Sequence, residues 1–144
     1  MNEAYRGIVT LNSHLRSLID DYLRMKLKSI GHDELIPSYG ALMSIVFQHG
    51  GIVQIKVIYE KIPKNKSTIT EMINRLVKCG YLERITCSED KRVSYVMATE
   101  KAIQLQPFFQ DISNELLSTL FSGFTEEEKV VFATLMKKAI NNFT

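Results

Sequence analysis

The sequence is poor in the residues that build disulfide frameworks and zinc sites. Its 144 residues include two cysteines, three histidines and no tryptophan. Two cysteines, Cys79 and Cys87, are too few for a disulfide framework, and with scattered histidines they lack the spacing of a metal site. We therefore expect reduced thiols and no bound metal.

Long apolar runs and catalytic motifs are also missing. No apolar stretch approaches the roughly 18 residues that cross a bilayer, and the N-terminal MNEAYRGIVTLNSHLRS has no sustained apolar core. Without a membrane span or a secretory signal, we expect a cytoplasmic protein. There is no glycine-rich phosphate loop, nucleophile motif or histidine–carboxylate cluster, so we expect neither an enzyme nor a cofactor.

The composition is that of an ordinary globular protein, with 45% hydrophobic and 24% charged residues, but the charges are unevenly distributed along the chain. The segment 61–92 holds eight bases and four acids, whereas the chain as a whole has a net charge of +2. The middle is therefore positive and the remainder slightly acidic. Such a segment suits a polyanion, although solvated lysines can give the same count.

Both ends of the chain have the periodicity of long amphipathic helices. Near the N-terminus the apolar residues recur at steps of three and four until Gly31: Ile8, Leu11, Leu15, Leu18, Tyr22 and Met25. A second helix runs from Thr99 with a bend expected at Pro107, and a third begins at Thr125, whose capping box with Glu128 is a strong start signal. These faces can pack within the chain's own core or against a second chain; we expect the latter to contribute to a homodimer.

The middle of the chain contains shorter elements. A helix is predicted from Pro37 to Gly50, a brief one over QIKVIYEKI, and a third capped by Asn65 and ended by Gly80. Two short helices joined by a tight turn form a helix-turn-helix. The strand-like stretches YLERITC and VSYVMA follow, joined by SEDK, and a hairpin in this position makes a winged helix.

The segment KNKSTITEMINRLVKCGYLERITCSEDKRVSYVMATEKA resembles the recognition helix and wing of the MarR family of transcription regulators. The matching features are a Ser-Thr-Ile-Thr start, the Arg75-Leu76 pair, Gly80, Asp90-Lys91-Arg92 and Ala98-Thr99-Glu100. The chain departs from the family at Ala102, where glycine is usual, at Tyr59, where alanine is usual, and at Glu71, which adds an acid to the recognition helix.

This resemblance implies a mainly α fold with a small β-hairpin wing (α+β). Residues 1–144 would form one domain, with a winged helix-turn-helix part at 35–98 and helical dimerisation parts at 1–34 and 99–144. It further implies a homodimer that binds double-stranded DNA at a pseudo-palindromic operator and acts as a transcription regulator, with repression relieved by a ligand or another signal.

Each predicted DNA contact follows from the chemistry of its side chain. Short hydroxyls, amides and a carboxylate can reach base edges, and longer cations can reach phosphates. The base readers would be Ser67, Thr68, Thr70, Glu71 and Asn74. The phosphate contacts would be Lys64, Lys66, Arg75, Lys78 and Lys91. In the wing, Arg92 would enter the minor groove, with Asp90 as the brace of its guanidinium.

Two further predictions carry open alternatives. A small-molecule effector could bind in a crevice lined by His14, Tyr22, His32 and Tyr39, but such residues also serve as core or interface fillers. The same winged helix could serve as a protein-interaction module without sequence-specific DNA binding, and salt-sensitive DNA binding distinguishes the two functions.

Overall fold

The computed structural model describes residues 3–144, which are mainly helical with one small antiparallel sheet. After a 3-10 helix at Glu3–Tyr5, the helices are α1 (Ile8–Ser29), α2 (Pro37–Gln48), α3 (Ile55–Lys61), α4 (Lys66–Lys78), α5 (Glu100–Leu120) and α6 (Glu126–Asn141). The strands are β1 (Ile52–Gln54), β2 (Leu82–Thr86) and β3 (Ser94–Ala98). This architecture confirms the predicted fold class. None of the helices within residues 3–144 is long and apolar enough to cross a membrane.

The residues form two compact units, one ending at Ile112 and the other spanning Ser113–Thr144. In the first unit, helices α1 to α4, the first part of α5 and the sheet enclose an apolar core. The side chains excluded almost completely from solvent include Leu42, Met43, Ile58, Ile69, Ile73, Leu76 and Val96. Most of the helix-turn-helix and sheet therefore share one core, which fixes α4 relative to β2 and β3.

The sheet has one strand more than the predicted hairpin. Its order is β1-β3-β2, with Ile52 opposite Met97 and Arg84 opposite Val96. Gln54, which the sequence pattern placed in the brief helix, pairs with Tyr95 instead, and α3 begins at Ile55. A strand of three residues is too short to show the alternation that identifies strands in sequence, so β1 gave no signal.

A buried tyrosine joins three segments of the first unit. The hydroxyl of Tyr81 donates to a carboxylate oxygen of Glu34, and Nδ1 of His32 lies 2.6 Å from the same hydroxyl oxygen. Because the tyrosine has a single proton, His32 Nδ1 must be the donor of the second bond. The ammonium of Lys101 lies 4.3 Å from the centre of the Tyr81 ring and 2.9 Å from the carbonyl oxygen of Cys79. The loop before α2, the turn after α4 and the start of α5 are thereby tied together.

This network shifts the pKa of two of its members. Burial, the hydrogen bond to Glu34 and the charge of that carboxylate raise the pKa of Tyr81 well above its ordinary range. Burial alone would raise the pKa of Glu34, but the hydrogen bond from Tyr81 and the nearby charge of Lys101 contribute to a net lowering. The neutral phenol and the ionised carboxylate are therefore the favoured forms.

In the second unit, α6 begins at the predicted capping box. The backbone N–H of Thr125 donates to the Glu128 carboxylate at 2.9 Å, and the Glu128 N–H donates to the Thr125 hydroxyl at 3.2 Å. The rings of Phe121, Phe124 and Phe132 pack edge to face, with centroids 5.4 to 6.1 Å apart. Along α6 the apolar side chains Val130, Val131, Leu135, Met136 and Ile140 are exposed.

The helix α5 continues through Pro107. Because proline has no N–H, the carbonyl of Ile103 lacks its usual helical donor at this point. The bend expected at Pro107 stays a prediction.

Replacing Tyr81 with phenylalanine should lower the free energy of unfolding by about 1–3 kcal/mol near neutral pH, because Glu34 and His32 lose a buried partner. The unfolded tyrosine ionises with a pKa of about 10, whereas folded Tyr81 keeps its proton. The wild type should therefore lose stability as the pH rises above about 10, and its difference from Tyr81→Phe should narrow. Urea denaturation followed by circular dichroism measures both effects.

The matched control is Tyr5→Phe, since the Tyr5 side chain is 60% exposed and should tolerate loss of its hydroxyl. Equal stabilities of wild type and Tyr81→Phe near neutral pH would contradict the assigned role of the network.

Candidate nucleic-acid interface

The orientation of α4 is set by one apolar stripe. Ile69, Met72, Ile73 and Leu76 are all buried in the core. The opposite side of the helix therefore faces solvent, and we call its residues Ser67, Thr70, Glu71, Asn74 and Lys78 the polar face of α4. Thr70 is half-buried and the other four are exposed.

The start of α4 is fixed by a side-chain cap, as predicted. The amide oxygen of Asn65 accepts from the backbone N–H of Thr68 at 2.8 Å and from the hydroxyl of Ser67 at 2.8 Å. This leaves the Ser67 oxygen free to accept a further hydrogen bond. The cations Lys64 and Lys66 flank the cap and are exposed.

A tyrosine from α3 supports the middle of the polar face. The hydroxyls of Tyr59 and Thr70 lie 2.9 Å apart, and the Lys66 ammonium lies 5.5 Å from the centre of the Tyr59 ring. Tyr59 stands where the MarR pattern has a small residue, and here its extra size reaches a residue predicted to read DNA. No sequence signal connected these two side chains, because they lie on different helices.

An arginine from β2 contacts the polar face near its C-terminal end. A terminal guanidinium nitrogen of Arg84 donates to the amide oxygen of Asn74 at 2.6 Å. Arg84 was not among the residues predicted to form the site; it entered only the charge count of the basic segment. The register of β2, which the sequence did not specify relative to α4, brings it there.

The loop between β2 and β3, residues 87–93, is the wing. It is closed by hydrogen bonds from Cys87 N–H to the Val93 carbonyl and from Val93 N–H to the Asp90 carbonyl, each 3.0 Å. Within it the Asp90 carboxylate accepts from the Arg92 backbone N–H at 3.0 Å and from its guanidinium at 3.1 and 3.3 Å. These bonds from the Arg92 side chain and backbone lower the pKa of Asp90.

The predicted pairing of Asp90 with Arg92 is therefore present, and the Arg92 side chain is 91% exposed. Lys91 next to it is also exposed. Because the carboxylate is held by both the backbone and the side chain of Arg92, the guanidinium is oriented while staying open to solvent.

A cleft of about 560 Å³ lies beside the polar face. The start of α2 forms one wall with Ser38 and Tyr39, and the other wall is lined by Lys64, Thr68, Glu71, Met72, Asn74, Arg75 and Lys78. The structure thus brings Tyr39 together with most of the predicted DNA contacts.

The other three residues predicted to bind an effector lie elsewhere. His14 is exposed on α1, and the half-buried ring of Tyr22 lies 5.5 Å from the Lys26 ammonium. His32 is engaged with Tyr81. Of the four, Tyr39 alone lines the cleft, and their shared role in an effector crevice stays a prediction.

The arrangement offers hydrogen-bond donors and acceptors on the exposed face of α4, cations next to them, and an exposed arginine in the wing. These groups suit recognition of a large anionic surface. The fold and this surface define a protein of the winged helix-turn-helix class.

Comparison with known proteins narrows the class. Residues 37–94, which contain the helix-turn-helix and the wing, match the model of the MarR family. The regulator YybA of Bacillus subtilis, named as an uncharacterized HTH-type transcriptional regulator, is 25% identical over 97 residues, covering 67% of this chain and 64% of that protein's length. Over residues 37–94 this chain is therefore similar to the MarR family.

Two solved structures share the fold. A mutant MarR from E. coli complexed with operator DNA superposes with a TM-score of 0.79 at 18% identity, covering 93% of this chain and 94% of that one. The organohalide-sensing transcriptional regulator RdhR in its 2,4-dichlorophenol-bound form gives 0.83 at 20% identity, covering 99% and 85% of the two chains.

Asn65→Ala should lower the free energy of unfolding by about 1 kcal/mol, because the Thr68 N–H loses its cap acceptor. Asn65→Asp keeps an acceptor at the same place and serves as the control. Urea denaturation of both variants measures the difference, and an alanine variant as stable as the aspartate variant would contradict the assigned cap.

Proposed function

We propose that this protein is a transcription regulator that binds double-stranded DNA sequence-specifically as a homodimer. The observation that carries the proposal is the joint presentation of the polar face of α4 and the Asp90–Arg92 pair in the wing. One element suits the major groove and the other suits the adjacent minor groove. The protein acts by binding and not by catalysis.

Affinity and sequence discrimination come from different residues. The cations Lys64, Lys66, Arg75, Lys78 and Lys91 neutralise phosphates, so binding weakens steeply as salt rises. Ser67, Thr68, Thr70, Glu71 and Asn74 meet base edges and discriminate among sequences. Three of these readers are anchored by Asn65, Tyr59 and Arg84, which limits the arrangements that they can adopt.

Arg92 inserts into the minor groove. Because the guanidinium is already exposed, it can enter the groove without any unfolding of the wing. Its two hydrogen bonds to the Asp90 carboxylate hold it in one orientation. An arginine suits this position because the narrow minor groove of A·T-rich DNA concentrates negative potential.

Exposed apolar residues support a dimer. On α1 Ile8, Val9, Leu11 and Leu18 are exposed, and α6 exposes its own apolar row. Such surfaces are covered when two chains associate, and a two-fold dimer places two α4 helices in successive major grooves of a pseudo-palindromic operator. The similar E. coli MarR structure is described as complexed with operator DNA.

Regulation follows from the same arrangement. A small molecule that binds one dimer conformation better than another shifts the population toward or away from the DNA-compatible state. The similar RdhR binds 2,4-dichlorophenol. We propose that this cytoplasmic protein is a repressor released by a small effector, and the cleft lined by Tyr39 is one candidate place for the effector.

A second function uses the same surface for protein contacts. The helix-turn-helix could bind an acidic partner with the same cations. The purified dimer would then show no sequence preference among DNA duplexes.

Arg92→Ala should weaken specific DNA binding roughly tenfold or more while leaving folding unchanged, because the lost group is a groove contact on an exposed loop. Fluorescence anisotropy with a duplex obtained by in vitro selection measures the affinity.

The matched control is Arg16→Ala on α1. Arg16 also pairs with an aspartate, Asp20, at 3.2 Å and is exposed, but it lies outside the helix-turn-helix. Equal losses in the two variants, or none in Arg92→Ala, would show that the wing has no specific role.

A further inference from the structure

We propose that Arg84 is a positioning residue that determines specificity by fixing the amide of Asn74. Because Arg84 holds the amide oxygen of Asn74, the polar face of α4 offers the amide hydrogens of Asn74, and not its oxygen, to the facing base edge. This inference rests on the proposed DNA-binding function and assigns one component of its specificity.

The strand geometry explains why Arg84 reaches α4. Successive side chains of a strand point to opposite faces, so Arg84 shares a face with Leu82, which is buried in the core beside α4. Arg84, two residues farther along β2, is itself exposed, and its long side chain reaches the solvent side of α4. There its terminal nitrogen contacts Asn74 at 2.6 Å.

The chemistry of arginine fixes the orientation of the amide. A guanidinium has five N–H donors and no acceptor, and it stays charged throughout the physiological range. It can therefore contact only the oxygen of Asn74, since the amide NH₂ in the same place would set donor against donor. The two amide hydrogens must then lie on the other side of the amide group.

This orientation changes what Asn74 recognises. An unrestrained asparagine can offer both a donor and an acceptor, the pair that suits adenine in the major groove. With its oxygen bonded to Arg84, Asn74 presents donors, and these match acceptors such as N7 and O6 of guanine or O4 of thymine. A base edge that presents an exocyclic amino group to Asn74 would be rejected.

A plain phosphate contact is the rival role for Arg84, and the two differ in measurable ways. Loss of a phosphate contact weakens binding to all sequences alike and lowers the salt dependence. Loss of the positioning role relaxes preference at one base pair of each half-site, the same one that Asn74 reads. Both side chains are exposed, so substitutions should leave the core intact.

The experiment begins with in vitro selection of a preferred duplex by the full-length wild type. Anisotropy titrations then compare this duplex with a set carrying single base-pair replacements. The variants are Arg84→Gln, Arg84→Lys, Asn74→Ala and the double variant Asn74→Ala with Arg84→Gln. Lys78→Gln is the control, because it removes an exposed charge from α4, the helix that carries Asn74.

We expect Arg84→Gln to lose roughly tenfold discrimination at one position of the half-site. Asn74→Ala should lose discrimination at the same position. The double variant should lose no more discrimination than either single variant, because the two residues act as a unit. Arg84→Lys keeps the charge but has a shorter side chain without the planar fork, so it should relax the preference while keeping the salt dependence. Lys78→Gln should weaken all duplexes alike.

Two results would overturn the inference: an unchanged preference in Arg84→Gln and Arg84→Lys, or losses at a position different from that of Asn74→Ala. Arg84→Lys provides the test if Arg84→Gln folds poorly. A wild type that selects no sequence would instead refute the proposed function, so the two failures are distinguishable.

Discussion

Burial of the apolar stripe of α4 is the constraint on which the rest of the structure depends. Each of Ile69, Met72, Ile73 and Leu76 contributes roughly 1.5–3 kcal/mol on burial, whereas a typical hydrogen bond contributes about 0.5–1.5 kcal/mol. The stripe therefore decides which side of the helix faces solvent, and the polar contacts refine the result. Because the core also includes residues of β2 and β3, the same burial places β2, which leads into the wing, against α4.

A second level of organisation lies on this exposed surface. Asn65 holds Ser67, Tyr59 holds Thr70, Arg84 holds Asn74 and Asp90 holds Arg92. Each contact is modest in energy at the surface, yet each reduces the orientations available to a side chain that would meet DNA. Such preorganisation lowers the entropy lost on binding, so these contacts affect specificity more than they affect folding.

The sequence predicted the features that depend on local chemistry. The periodicity of α4, its Asn65 cap, the capping box of α6 and the two strands of the wing all come from short-range patterns, and the structure has them. The contacts between Tyr59 and Thr70, and between Arg84 and Asn74, join separate elements and depend on helix orientation and strand register. Strand β1 is too short to show a period, and the Tyr81 network joins residues about fifty to seventy positions apart.

We propose that α4 enters the major groove and that the wing enters the adjacent minor groove. Guanine methylation interference on a selected duplex tests it most directly, because methylation at N7 blocks major-groove contacts. We expect interference in two successive major grooves, about 10 base pairs apart, and protection of the adjacent A·T-rich minor grooves from hydroxyl radicals. Interference at one groove, or binding that tolerates N7 methylation throughout, would contradict it.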